Sequence, residues 1–191
     1  MKTLSLAQHR KTVRKFSHDP ISIDDILHCI EVAREAPSGM NAQPWRFLLI
    51  TDAHQKKTLR MLCEEGEREL HQKVKGALAE WLQKKGVSWE KPFLEDAPAL
   101  ILVFSSLHAP YRIQSTWLAI GYLLLALEER GISTVTYTPP HPETLRTHLE
   151  VPDEFKLEVI LPLGHSVDEK RKEVRKPLKE LIHVGRWGNH L

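Results

Sequence analysis

A chain of 191 residues with 41% hydrophobic and 27% charged content is long and apolar enough to bury the core of one globular domain, which excludes a disordered segment or a fibre. Its formal charge of +2 is too small for the strongly basic face that nucleic-acid binding uses, so the expected partner is a small molecule. The two cysteines, Cys29 and Cys63, stand far apart and outside any metal-binding spacing, so neither a disulfide framework nor a zinc site is expected, and a reducing cytoplasm fits best.

The N-terminal MKTLSLAQHRKTVRKF lacks the apolar core of a signal peptide. From Ser22 the spacing of Ile23, Ile26, Leu27, Ile30 and Ala33 predicts a helix, opened by a Ser22/Asp25 pair that resembles a capping box and stopped by Pro37. The stretch APSGMNAQPWRF, from Ala36 to Phe47, leads out of it, and WRFLLIT (Trp45 to Thr51) reads as a buried strand. From Ala53 to about Gly86 the chain reads as one charged helix with thinly spread leucines, a pattern suited to a lid or an interface. A helical lid is therefore placed at about 60–95 within a single domain, 1–191. ALILVFS (Ala99 to Ser105) reads as a second strand. Trp117 to Arg130 reads as a buried helix whose 11-residue apolar run, to Leu127, is well below the roughly 20 needed to cross a bilayer. Ser133 to Thr138 and LEVILPLG (Leu157 to Gly164) give two further strands, and DEKRKEVRKPLKELI closes the pattern with a charged arm and a short helix.

Arg10, Lys11, Thr12 and Arg14 bring three cations and a hydroxyl into five residues, and guanidinium forks suit phosphate oxygens. A second basic run, Lys170 to Lys172 with Arg175 and Lys176, is diluted by acids. The two runs are either solvated turns or halves of one phosphate site. Eleven histidines include no HExxH, and no G-x-S-x-G elbow follows a strand, so neither a metal site nor a serine hydrolase is expected.

RKTVRKF, APSGMNAQPWRF, and LPLG followed by RKPL occur in this order, and with them nearly the whole chain resembles the flavin-dependent nitroreductase family. The resemblance implies an α+β (α/β sandwich) fold, a central, mostly antiparallel sheet flanked by helices, in an intertwined homodimer. It implies FMN as cofactor and NAD(P)H as electron donor. Arg10, Lys11, Thr12 and Arg14 would hold the FMN phosphate and ribityl chain, and Pro37, Ser38, Gly39 and Asn41 would reach the flavin from the partner subunit. Gly39 would let backbone N–H groups approach the ring closely.

GISTVTYTPP (Gly131 to Pro140) and KRKEVRKPL further resemble the iodotyrosine deiodinases. That likeness implies that Thr136, Tyr137 and Thr138 line the cofactor, with the Thr136 hydroxyl the partner of flavin N5, Gly164 completing the lining and Arg175 on the phosphate. Glu67 and Lys91 match the lid residues that hold an amino-acid zwitterion in that branch, although His71 stands where it has a tyrosine, and the competing reading is two solvated charges. Met40, Trp89 and Phe93 are candidate walls of an aromatic slot. No catalytic residue is assigned beyond the flavin. On this basis reduction of nitroaromatic or quinone-like acceptors ranks ahead of reductive dehalogenation of halotyrosine, with a non-catalytic flavin-binding module as a further alternative.

Overall fold

Four antiparallel strands carry the molecule in a computed structural model that describes residues 3–191. They are β1 (Trp45–Ile50), β2 (Ala99–Ser106), β3 (Ser133–Thr134) and β4 (Phe155–Gly164), in the sheet order β1-β2-β4-β3. The two central strands are buried on both faces, which is why ALILVF and LEVILPL are continuous apolar runs rather than alternating ones. Leu100, Leu102 and Phe104 pack into one layer, and Ala99, Ile101 and Val103 into the other.

A bulge re-aims β4 halfway along. Val103 pairs with Val159 but Phe104 pairs with Leu157, which leaves Glu158 as the extra residue. Leu157 and Ile160 then face one layer while Val159 and Leu161 face the other. The strand expected over Ser133 to Thr138 is shorter than predicted. Thr134 pairs with Leu163 and Tyr137 bridges Ile160, so Val135 falls opposite Pro162, which has no N–H to give the ladder. The Val135 carbonyl accepts from Thr134 Oγ1 at 3.4 Å instead.

The helices are α1 (Thr3–His9), α2 (Ile23–Arg34), α3 (Ala53–Lys73), α4 (Ala77–Lys85), α5 (Phe93–Asp96), α6 (Arg112–Glu129) and α7 (Pro142–His148). Ser22 stands at the N-cap of α2 in extended conformation, but its side chain makes no cap bond, so the expected capping box does not form. The single long helix expected over Ala53 to Gly86 is two, divided where Val74 turns extended and Gly76 takes φ +67°, open to glycine without strain. The first half of α3 belongs to the core: Leu59 and Cys63 are buried, and the Lys56 ammonium reaches the Ala97 carbonyl at 2.6 Å. The exposed leucines begin at Leu70, so the lid-like character lies in the end of α3 and in α4.

The buried helix expected over Trp117 to Arg130 is buried on one face only. Ile120, Leu123 and Leu127 pack against α2 and the sheet and Ala119 against Ala36 and Trp45, whereas Ile113, Trp117, Leu118 and Tyr122 form an exposed apolar row. Among the described residues no helix is long and apolar enough to cross a membrane.

Candidate functional site

The first part of the site is a consequence of strand pairing. Thr12 bridges Thr134 in parallel and the Val13 N–H donates to the Thr134 carbonyl at 3.0 Å, so the segment from Arg10 to Arg14 runs along the open edge of β3. Buried Val13 and Phe16 anchor it, and a side chain on Gly164 would have its Cβ 3.0 Å from the Phe16 ring and 2.8 Å from Pro98. Gly164 is thus needed first for this packing. After β4 the chain turns back beside the same segment: the Ser17 N–H donates to His165, and Asp168 accepts the backbone N–H of Arg14 at 3.1 Å and of Lys170 at 2.9 Å. Burial pushes the Asp168 carboxyl up, but these two N–H groups and the Lys11 ammonium hold it below the usual range. Lys11 donates to the carbonyls of Asp168 and Lys170, and Lys172 to those of Ala7 and Gln8. We call residues 168–175 the strap.

The two basic runs therefore meet. They line a cleft of about 210 Å³ in which seven lysine and arginine side chains surround a single carboxylate, Glu173, with Thr12 also in its lining and Trp81, Lys85 and Val87 contributed from α4 and the turn after it. Beside it the Arg10 guanidinium is half-buried, and desolvation together with the nearby Arg175 charge lowers its pKa. Its Nε is buried and has no hydrogen-bond partner among the described residues. Two guanidinium groups that repel each other around an unsatisfied donor fit one chemical group well, a doubly charged phosphate.

The second part is the APSGMN loop. Gly39 is required because a Cβ there would lie 2.7 Å from the Tyr111 ring. Its N–H donates to Ser115 Oγ at 3.2 Å, and the Ser38 hydroxyl accepts from the Gln43 N–H at 3.0 Å. Within one chain, then, the Gly39 N–H is held by Ser115, and the absence of a side chain is what lets the loop lie against Tyr111. Met40 (φ +55°) and Asn41 (φ +53°) take the left-handed conformation, and Met40 is 87% exposed at the tip. Beneath the loop lies a charged cluster that sequence reasoning missed. Glu158, delivered by the bulge, accepts from Ser105 Oγ at 2.5 Å and from Arg112 Nη1 at 2.7 Å. It ties the start of α6, and with it Tyr111 and Ser115, to the sheet. A carboxylate in the apolar run LEVILPLG was its only signal in the sequence.

The third part is the pair from the lid. Glu67 and Lys91 are buried, at 6% and 4% exposure, and their charged groups meet at 3.0 Å, so they are not the solvated charges that formed the competing reading. The ends of the lid are braced around them: the Lys91 N–H donates to Glu64 at 2.8 Å, Glu64 pairs with Arg60 at 2.7 Å, and Arg60 reaches Glu95 at 3.1 Å. The Lys91 ammonium stands 6.0 Å above the Tyr137 ring, whose pKa is raised by burial and by Cys63 and Glu67. His71 Nε2 is 3.6 Å from Glu67. Among the described residues neither His71 Nε2 nor the Tyr137 hydroxyl, which lies near Glu67 and Cys63, makes a hydrogen bond of normal length, although both atoms are buried, so both have hydrogen-bonding capacity left for a ligand.

The other candidates divide. Thr136 is half-buried and Thr138 exposed, on the rim beside Tyr137. Phe93 stacks edge-on against Tyr137 at 5.7 Å and belongs to the core, while Trp89 lies under the Arg68 guanidinium at 4.1 Å. Among the described residues no group of histidines, cysteines and carboxylates could hold a metal ion.

With this geometry in place, comparison with known proteins decides the family. Residues 7–165 match the nitroreductase family. The chain belongs to that family. An iodotyrosine deiodinase of Thermotoga neapolitana is 50% identical over 170 residues, covering 89% of this chain and 91% of its own. The crystal structure of an oxidized iodotyrosine deiodinase bound to FMN and 3-iodo-L-tyrosine is similar with a TM-score of 0.90 at 48% identity, over 92% of this chain and 95% of that one. A BluB-like flavoprotein of Clostridium difficile 630 follows the same nitroreductase fold, with a TM-score of 0.81 at 25% identity over 95% and 98% of the two chains. These relatives favour dehalogenation over nitroaromatic reduction, and so reverse the order in which the motifs alone ranked them. His71 had argued the other way because an imidazole cannot place a hydroxyl where a tyrosine does. In the fold the His71 ring stands 3.6 Å from the Glu67 carboxylate.

Proposed function

We propose that this nitroreductase-family chain is an FMN-dependent reductive dehalogenase of halogenated tyrosine, working as a homodimer and drawing electrons from NAD(P)H. The observation that carries the reading is the buried Glu67–Lys91 pair at 3.0 Å, set beside the unpartnered Tyr137 hydroxyl, in a chain so similar to an iodotyrosine deiodinase. A free amino acid presents an ammonium and a carboxylate a few ångströms apart. Each can replace one member of the pair, Glu67 taking the ammonium and Lys91 the carboxylate, and exclusion of water by the lid strengthens both contacts.

Arg10 and Arg175 would hold the FMN phosphate, with Lys11, Thr12 and Arg14 completing the cradle, and the Thr136 hydroxyl would stand at the flavin N5 edge. Pro37, Ser38, Gly39 and Asn41 would complete the site of the partner subunit. The exposed apolar row of α6 supports such a dimer, because 38% exposure of Trp117 and 48% of Leu118 is costly in water. When bound, FMN supplies the two-electron chemistry that no side chain here can. In the net reaction the carbon–halogen bond breaks, the halide leaves with the bonding pair, and a carbon–hydrogen bond forms from two electrons and one proton that NAD(P)H provides as hydride. The protein's share is to hold the ring and to keep water out. Buried free thiols at Cys29 and Cys63 accord with a reducing cytoplasm, and burial raises their pKa to about 11 and about 12, which makes them inert.

Anaerobic incubation of FMN-loaded protein with 3-iodotyrosine and a reductant tests the reading. The expected result is one tyrosine and one iodide per two electrons consumed. Consumption of electrons without iodide release would refute it.

A further inference from the structure

Tyr137 carries a buried hydroxyl that the fold itself does not use. The residue is 7% exposed and its ring is fixed edge-on against Phe93. Its backbone is tied to β4, the Tyr137 N–H donating to the Ile160 carbonyl at 3.0 Å and the Ile160 N–H donating back at 2.8 Å. Burial, and then the neighbouring Cys63 and Glu67, raise the phenol pKa, so the group keeps its proton and stands as a donor across the physiological range. Among the described residues that donor has no hydrogen-bond partner of normal length. A buried donor left open in this way destabilises the protein unless a bound state satisfies it. The acceptor beside it is Glu67. A carboxylate has about four lone-pair positions, and in the ligand-free fold this one is met by the Lys91 ammonium at 3.0 Å, with the His71 ring at 3.6 Å. Glu67 and His71 are carried by the second half of α3 and Lys91 by the chain between α4 and α5, whereas Tyr137 is held by the sheet. Its hydroxyl is therefore a fixed point against which the lid carboxylate can be set.

We propose that Tyr137 is a positioning residue for the amino-acid group of the substrate: its hydroxyl, backed by the Cys63 thiol, donates to Glu67 once the ligand's ammonium replaces Lys91, and so aims the carboxylate at that ammonium. Lys91, released from Glu67, turns to the ligand's carboxylate, and the open donor of the ligand-free fold is satisfied in the bound state. The proposal rests on the reading of Glu67 and Lys91 as a zwitterion site, and it adds the residue that registers the lid against the sheet. It also gives the hydroxyl a task other than the cofactor lining that the family resemblance implied for Tyr137.

The test is a flavin-fluorescence titration of FMN-saturated protein with 3-iodotyrosine and with 2-iodophenol, which keeps the halogenated ring and lacks the zwitterion. It is run on the parent, on Tyr137→Phe, on Glu67→Gln and on the double variant. A parent that binds the two ligands equally would refute the zwitterion reading, and this proposal with it. Where the parent prefers iodotyrosine, Tyr137→Phe is expected to cut that preference at least about tenfold, as the loss of a hydrogen bond to a charged group does. Added to Glu67→Gln it should change the preference by less than about twofold, because it acts through that carboxylate. The ligand-free Tyr137→Phe protein should melt no lower than the parent and hold as much flavin, since the hydroxyl removed has no partner to lose. A merely structural tyrosine would behave otherwise, lowering the melting temperature and weakening both ligands alike. That pattern, an undiminished preference in Tyr137→Phe, an effect of the same size in the Glu67→Gln background, or loss of flavin from Tyr137→Phe would each overturn the assignment.

Discussion

Arg10 is placed where its guanidinium loses water and faces Arg175, a cost to the folded chain that only an anion recovers. Arg10→Ala should therefore weaken FMN binding by about 1.5–3 kcal/mol, the usual worth of a charge-assisted contact, while the flavin-free protein melts no lower than the parent. Equilibrium dialysis and thermal melts check the two halves of this claim, and a lower melting temperature of the flavin-free variant would count against it. The opposite behaviour is expected at Glu158. Arg112→Leu leaves that carboxylate buried without its cation and should cost about 3–5 kcal/mol in denaturant unfolding, whereas replacing both partners by apolar residues should cost much less. The motif residues Arg10 and Arg14 were legible in the sequence because a phosphate cradle needs guanidinium groups on a short segment. Glu158 was visible only as an anomaly, since its partners lie 53 and 46 positions away and no local pattern joins them.

At the scale of elements, the strap and the lid are held by carboxyls whose pKa values are depressed in the fold. Burial acts to raise both Asp168 and Glu64, but backbone N–H groups prevail at Asp168, and Arg60 and the Lys91 N–H prevail at Glu64. A depressed carboxyl contributes stability above its ordinary pKa and loses it as pH falls through the folded value. The strap and the Lys91 end of the lid should hence loosen below about pH 4 and be unaffected near neutrality. Amide exchange over the strap would show it, and Asp168→Asn should remove the pH dependence of that region alone. The break at Gly76 was foreseeable from a glycine inside a weakly apolar helix, but the shortening of β3 was not. Pro162 is harmless in its own strand and interrupts the ladder only because it falls opposite Val135, a fact of long-range register. The one-sidedness of α6 was hidden for a similar reason. An uninterrupted apolar run reads the same whether its outer face meets the core or a second subunit.

For the whole molecule, the family resemblance carried by the three motifs implied the antiparallel α+β architecture, while the division of the charged segment into α3 and α4 depended on packing. In the proposed homodimer each site lies between two chains. Leu118→Glu, on the exposed row of α6, should therefore give a monomer that no longer retains FMN, as sedimentation and absorbance would report; a monomer with full flavin would contradict the dimer. The account also assigns the Glu67–Lys91 pair to a zwitterion, and that assignment is what separates a halotyrosine dehalogenase from a general reductase of flat aromatics. The most direct measurement is a titration of flavin fluorescence with 3-iodotyrosine and with a neutral nitroaromatic, on the parent protein and on Glu67→Gln and Lys91→Gln. The account predicts tight iodotyrosine binding that falls at least about tenfold in each variant, with the nitroaromatic unaffected. Iodotyrosine binding no tighter than that of the nitroaromatic, or undiminished in both variants, would contradict it.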